Sequence, residues 1–219
     1  MLKHIVLVEI LDYLTLKDKA FTYFDTHAGA GIYDLSSDYA NKLNESEGGF
    51  KKLNPTDWPE LSTYFEIIQR HNAEGSNPQY PGSPLFAQHV LRDQDRASLY
   101  ELHPNDHGIL SQVFEQDRRF SVEQKDGFAG LISQLPPRSR RGLILIDPSY
   151  ELKSDYRAVF QTIRHAHRKF ATGTYALWYP VVERERIDQL EAWFMQSEIR
   201  NLQRFELGIT ADSEERGMT

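Results

Sequence analysis

Arg141-Gly142-Leu143-Ile144-Leu145-Ile146-Asp147-Pro148-Ser149-Tyr150 is the stretch on which the reading of this chain turns. Four aliphatic residues in a row, bounded by glycine on one side and by an acid and a proline on the other, read as a short strand that is apolar on both faces. A strand of that kind belongs in the middle of a parallel sheet covered by helices on both sides. The segments to either side alternate as such a sheet demands. Strands are predicted at Ala20 to Asp25, Ala97 to Leu102, Phe120 to Gln124, Thr174 to Tyr179 and Leu202 to Ile209. Helices are predicted at residues 2–16, Leu85 to Leu91, His107 to Gln116, Gly127 to Leu135, 154–170 and 183–196. Alternating strands and helices imply right-handed crossovers on a mostly parallel sheet, an α/β fold.

One region breaks the alternation. Residues 36–82 are rich in Ser, Asn, Glu, Gly and Pro, with one helix marked by Trp58, Leu61, Tyr64, Phe65, Ile67 and Ile68, and read as a helical subdomain inserted into a single domain of 1–219. The first helix has no N-cap residue ahead of it, so the chain reads as though something upstream were missing or supplied by other means. A turn-like run follows at residues 212–217.

With 219 residues, 40% hydrophobic and 26% charged, the chain has the composition of one globular domain. The absence of cysteine removes disulfides, thiolate nucleophiles and cysteine-ligated zinc, and makes a reducing cytoplasm the natural compartment. The apolar run from Ile5 to Leu11 is interrupted by Glu9 and is too short to span a bilayer, so no membrane association is expected. A formal net charge of -7 argues against sequence-blind coating of nucleic acid, because such binding rests on many basic residues displacing counterions. His103, His107, His165 and His167 are scattered without ligand spacing, and no metal is expected.

Open parallel sheets bind ligands beyond the carboxyl ends of their strands, so polar residues at strand exits are the candidates for chemistry. Asp25 is followed by Gly29 and Gly31, which let the backbone pass close to a ligand and are expected to open a helix. Asp34 stands where a dinucleotide fingerprint would need a third glycine, and 70 residues separate Gly31 from Glu101; both disfavour a nicotinamide oxidoreductase. Glu101 closes its strand where a carboxylate can accept both hydroxyls of a ribose, or serve as a plain surface acid. Asp126-Gly127 could hydrogen-bond an adenine amine, or form an ordinary turn.

The exit at Asp147-Pro148-Ser149-Tyr150 differs in kind. An aromatic amine is a poor nucleophile because its lone pair is delocalised into the ring. Asp147 and the carbonyl of Pro148, accepting the amine hydrogens, would localise that pair, and Tyr150 would stack on an extruded base, a contact worth ~1–3 kcal/mol. The basic groups Arg138, Arg140 and Arg141, and Arg164 and Arg168 with their neighbours, are the densest positive clusters. They are either solvated surface or a grip on RNA phosphates.

These exits carry a specific resemblance. Lys3-His4, Asp25 to Gly31, Tyr80-Pro81-Gly82-Ser83-Pro84, Glu101-Leu102-His103-Pro104, Asp126-Gly127-Phe128, Arg140 to Pro148 and Ala171 to Pro180 are similar, in order and over essentially the whole chain, to the RlmJ family of bacterial 23S ribosomal RNA adenine-N6 methyltransferases. The resemblance implies a Rossmann-like class I S-adenosylmethionine-dependent methyltransferase sheet with a small inserted helical subdomain. It implies that Lys3, His4, His27, Ser83, Glu101, Asp126 and Gly127 contact S-adenosylmethionine, with Gly29 in the turn beside them, and that Asp147 is the catalytic acceptor for an adenine of 23S rRNA. The chain is expected to act as a monomer. Ser149 stands where the family pattern has a second proline, which relaxes the loop. Family members also begin with a longer segment before Lys3 and continue past Thr219 through a final strand. The alternatives are a DNA adenine-N6 or protein-glutamine methyltransferase, whose acid-Pro-Pro-aromatic loops are alike, and a non-catalytic RNA-binding or ribosome-assembly factor that keeps the fold.

Overall fold

The structure is a computed structural model that describes residues 1–35, 53–72, 78–152 and 154–207. Its centre is a five-stranded sheet in the order β5-β4-β1-β6-β7, all parallel. The strands are β1 (Thr22–Asp25), β4 (Arg96–Tyr100), β5 (Phe120–Glu123), β6 (Gly142–Ile146) and β7 (Thr174–Leu177). Each predicted strand of this sheet is present within one or two residues of its expected ends, and β6 is buried at all five positions. Its side chains alternate between two cores: Leu143 and Leu145 join one, Ile144 and Ile146 the other. That is the period-two consequence of covering both faces of a strand.

The first core is filled by α1 (Leu2–Thr15), α2 (Ser62–His71), α3 (Ser83–Val90) and α4 (Pro104–Phe114), through side chains such as Leu7, Leu11, Tyr64, Phe86 and Leu110. The second receives Leu131 from α5 (Gly127–Gln134) and Val159, Ile163 and Ala166 from α6 (Asp155–Lys169). A smaller cluster joins Tyr156 of α6 to Ile187 and Leu190 of α7 (Arg184–Met195). No helix among the described residues is long and apolar enough to cross a membrane.

Two expectations are corrected. The glycine turn after β1 does not open a helix. It feeds β2 (Ile32–Asp34), which pairs antiparallel with β3 (Gln79–Pro81), and the helix that crosses from β1 to β4 is α3. The reason is local: Ile32 and Tyr33 are good strand formers, and the carbonyl of Gly31 accepts the amide of Gly82 at 2.8 Å, which closes a ribbon in place of a first helical turn. The strand expected from Leu202 is also absent over its described part, 202–207. No described segment runs beside it to form a ladder, and its residues are fixed instead by ion pairs, Arg184 to Glu206 at 3.1 Å and Arg204 to Glu191. Residues 208–209 and the turn at 212–217 lie outside the described residues, as do 36–52 and 73–77 of the segment read as an inserted subdomain. Its described part holds two single 3₁₀ turns (Pro55–Asp57 and Pro59–Leu61) and then α2, whose Tyr64 stacks on Phe86 of α3 with ring centroids 5.4 Å apart.

Candidate active site at the strand exits

Because all five strands of the sheet run the same way, their carboxyl ends share one edge, and this edge collects Asp25, Glu101, Asp126 and Asp147. The exits of β1 and β6 are neighbours: Asp25 is in register with Leu145, and the amide of Thr26 donates to the carbonyl of Leu145 at 3.1 Å. Asp147 therefore leaves the sheet beside the turn that carries His27 and Gly29.

In that turn Gly29 and Gly31 have φ of 62° and 79°, the left-handed region that glycine occupies without steric cost. A Cβ on Gly29 would stand 2.2 Å from the hydroxyl of Tyr33. The amide of Gly29 donates to one oxygen of Glu101 at 2.8 Å, and the amide of His103 donates to the other at 2.7 Å. Glu101 is thus oriented by two backbone donors while its oxygens keep lone pairs for further hydroxyl donors. Asp126 caps α5, accepting the amide of Ala129 at 2.8 Å through one oxygen. The next residue, Gly127, lies against the backbone of Thr26, where a Cβ would meet the carbonyl oxygen at 1.8 Å. Only glycine brings α5 this near the β1 exit.

Beneath the exits Asp25 is wholly buried. One of its oxygens accepts the hydroxyls of Ser83 at 2.6 Å and Tyr23 at 2.7 Å, and the other the amide of His27 at 3.3 Å. Burial pushes its carboxyl above the ordinary value against the pull of Ser83 and Tyr23. Burial likewise pushes the Tyr23 hydroxyl well up, with the charge of Asp25 adding to it. Ser83 thus acts on the floor of the site, through Asp25. The share taken by Tyr23 escaped the sequence reading, although its i, i+2 spacing from Asp25 puts both side chains on one face of β1 and could have revealed it.

Lys3 and His4, on the first turn of α1, reach the same edge. The Lys3 ammonium donates to the carboxylate of Asp147. His4 is buried between Tyr80 and Phe86, with ring centroids at 5.4 and 4.7 Å, and its Nδ1 bonds the Tyr80 hydroxyl at 2.9 Å. Its Nε2 has no partner among the described residues. Burial holds this imidazole well below its ordinary pKa, with the charge of Lys3 adding to the effect, so it is neutral near pH 7. His27, also lowered chiefly by burial, bonds Thr26 at 2.8 Å and meets Phe128 edge-on.

Pro148 is buried, Ser149 is exposed, and Tyr150 has φ of 54°, a conformation that costs a bulky residue free energy. The bend turns the Tyr150 ring onto Tyr156, 4.7 Å between centroids, and its hydroxyl donates to the carbonyl of Trp178 at 2.7 Å. Tyr150 is therefore anchored by α6 and the β7 exit, and keeps only part of its surface exposed.

The arginines are not brought to this edge. Arg138, Arg140 and Arg141 precede β6 and so lie at the amino edge of the sheet, about 20 Å from Asp147 at ~3.3 Å per residue. Arg141 donates to the carbonyl of Lys19 at 2.8 Å and lies over the ring of Phe21. Arg164 and Arg168 sit on the later turns of α6, which leads away from the carboxyl edge. Among the described residues no group of three or more acids and histidines could hold a metal ion.

Residues 18–219 match the family model described as RsmJ, "Ribosomal RNA large subunit methyltransferase D, RlmJ". The chain is 47% identical over 220 residues to "Ribosomal RNA large subunit methyltransferase J" of Escherichia coli strain K12, covering 100% of this chain and 79% of that protein. It is 46% identical over 221 residues to the protein of the same name in Haemophilus influenzae, with the same coverage of each. The crystal structure of protein LPL1258 from Legionella pneumophila str. Philadelphia 1 superposes with a TM-score of 0.79 at 39% identity, over 90% of this chain and 73% of that one. A parallel methyltransferase sheet, a glycine turn beside an Asp-Pro exit, and a match of this extent lead to one conclusion: the chain belongs to the RlmJ family of ribosomal RNA large subunit methyltransferases.

Proposed function

We propose that the chain methylates N6 of an adenine in 23S ribosomal RNA, with S-adenosylmethionine as methyl donor. One observation carries the reading: Asp147 leaves the central strand beside the glycine turn, and its carboxylate already holds a nitrogen donor, the Lys3 ammonium. That nitrogen marks where an adenine amine would be held. The residues at the edge suit the donor as well: Glu101 suits the two hydroxyls of a ribose, the second oxygen of Asp126 an adenine amine, and the Gly29 turn and Gly127 allow close backbone approach. The unpartnered Nε2 of His4 is a buried polar atom that the cofactor would satisfy.

When bound, S-adenosylmethionine supplies an electrophilic methyl carbon on a positively charged sulfur. Asp147 and the carbonyl of Pro148 accept the two hydrogens of the substrate amine and direct its lone pair along the line of attack, so that positioning supplies much of the rate. The donor would supply the methyl carbon to the amine nitrogen and would keep the electron pair of its broken C–S bond. The amine then carries one proton too many, which Asp147 takes and passes to water. Lys3 must leave Asp147 before the amine can take its place. Tyr150, anchored through Trp178, holds the wall against which the extruded base rests.

The test is methylation of deproteinised large-subunit RNA by the chain and by Asp147→Asn, with a DNA duplex of the same sequence as competitor. The wild type is expected to methylate the RNA at N6, the variant to be slower by roughly 10²–10⁴-fold, and the DNA not to compete. Equal rates for the two proteins would remove the role of Asp147, and effective competition by DNA would replace RNA as substrate.

A further inference from the structure

Away from the catalytic edge, the described residues form a cleft of about 320 Å³ between α6 and α7, lined by Arg157, Arg164 and Arg168 with Phe160 and Trp193. The three arginines recur at intervals of seven and four residues, two helical turns and one, so they form a single stripe on α6. At 1.5 Å per residue their backbone positions stand about 10 Å and about 6 Å apart along the helix axis. The shorter interval is close to the separation of successive phosphates on a nucleic-acid strand.

The stripe is preorganised. Glu198 accepts the Nε of Arg164 at 3.1 Å and the Nε of Arg168 at 2.8 Å, which fixes the two guanidiniums side by side. Its own backbone amide first, and then Arg168 and Arg164, hold the Glu198 carboxyl down at about 2. Neither guanidinium has a hydrogen bond from its Nη atoms among the described residues. Two cations share one anion, and with Arg157 the cleft carries a net charge of +2 in a chain of net -7. Paired guanidinium forks with their terminal nitrogens free suit phosphate oxygens, which they can contact in pairs. Phe160 and Trp193, 5.8 Å apart, add an aromatic surface where an unpaired base can stack.

From this we infer that the α6/α7 cleft is a second RNA contact, which grips backbone phosphates of the substrate outside the target nucleotide. The inference rests on the reading that the substrate is RNA. The stripe begins on the first turn of the helix that follows the Asp147 loop, and runs along α6 for about 16 Å from Arg157 to Arg168. It thus forms a track from the catalytic edge down the outside of the molecule. Phosphate contacts of this kind set orientation and register without reading sequence. They explain how a chain of net negative charge can hold RNA: its cations are ordered where the strand passes. The other cluster, at Arg138 to Arg141, lacks this order, for Arg141 is occupied by Lys19 and Phe21.

The experiment measures binding of full-length 23S rRNA transcript across a salt series for the wild type, for Arg164→Ala/Arg168→Ala, and for Arg138→Ala/Arg140→Ala, which removes the same net charge. The α6 pair is expected to weaken binding and to flatten the plot of log K against log salt by about 1.4–1.8, at ~0.7–0.9 per lost phosphate contact. The control pair is expected to match the wild type. Arg157→Ala, which breaks no ion pair among the described residues, serves as a second variant with an expected loss of about 0.7–0.9 in slope. Two double variants that cannot be told apart, or an Arg157→Ala slope equal to the wild type, overturn the inference. Methylation of the same transcript is followed in parallel. A wild type that binds through α6 without methylating refutes the methyltransferase reading alone, and methylation with unaltered salt slopes refutes the cleft alone.

Discussion

Replacing Gly127 by alanine tests whether the close approach of α5 to the β1 exit matters to the site. The added Cβ would lie 1.8 Å from the carbonyl oxygen of Thr26 and 2.6 Å from its carbonyl carbon, where ordinary contact begins at 3.4 Å. Both offending groups are backbone, so no rotamer relieves the clash. Thr26 cannot retreat, because its amide and its hydroxyl both bond the carbonyl of Leu145 in the central strand, at 3.1 and 3.2 Å. The start of α5 must therefore move out by about 1.6 Å, carrying the Asp126 cap with it. Overpacking of this kind costs roughly 1–3 kcal/mol. A loss of about 2 kcal/mol lowers Tm by roughly 4–8 °C in a domain of this size. Gly108 on α4 is the matched control: a Cβ there meets nothing within 4 Å, and alanine at an exposed helix interior gains roughly 0.5–1 kcal/mol. Thermal unfolding and calorimetric titration with S-adenosylmethionine read the outcome. Gly108→Ala should melt higher and bind as the wild type does, whereas Gly127→Ala should melt lower and bind more weakly. A Gly127→Ala protein with wild-type Tm and wild-type affinity refutes the reasoning.

Further outcomes follow from the same geometry. Glu101→Gln sets an amide nitrogen against either the Gly29 or the His103 amide and removes a charged acceptor, so calorimetry should show affinity for S-adenosylmethionine falling about 10- to 100-fold, from ~1.5–3 kcal/mol per charged hydrogen bond. Tyr150→Phe loses only the bond to the Trp178 carbonyl; chemical denaturation should register a loss of about 0.5–1.5 kcal/mol, with methyl transfer at saturating RNA largely kept. Asp117 predicts an acid limb of stability. Arg119 beside it holds its carboxyl at about 2 against 3.8 in the unfolded chain, so its contribution is fully present above pH 3.8 and is lost as pH falls toward 2. That contribution is about 2 kcal/mol by linkage, and an Asp117→Asn protein should lack this part of the acid transition in a pH-denaturation series.

Periodicity made the sheet readable. Each strand of the parallel sheet and every helix expected at residues 2–16 and from 85 onward falls within a few residues of its expected place, because continuous apolar runs and helical spacing follow directly from covering both faces of a sheet. The two failures have a common cause. The turn after Gly31 and the segment from Leu202 depend on whether another strand lies alongside, and a segment's own composition does not report its neighbours. Ile32-Tyr33 finds β3 and becomes a strand. Leu202 to Leu207 finds no described partner and does not.

The sequence by itself determined which chemical groups stand at the strand exits, since a parallel sheet sends every carboxyl end to one edge, and the acids there can be named from the strands alone. Only the tertiary structure decided what those groups touch. It put Lys3 of the first helix on Asp147, 144 residues away. It set Ser83 and Tyr23 on a buried Asp25, turned Tyr150 onto Tyr156, and separated the two arginine clusters to the amino edge and to the outer side of α6. Such pairings arise from strand order and crossover, which bring together residues that are distant along the chain, and a local pattern carries no record of them.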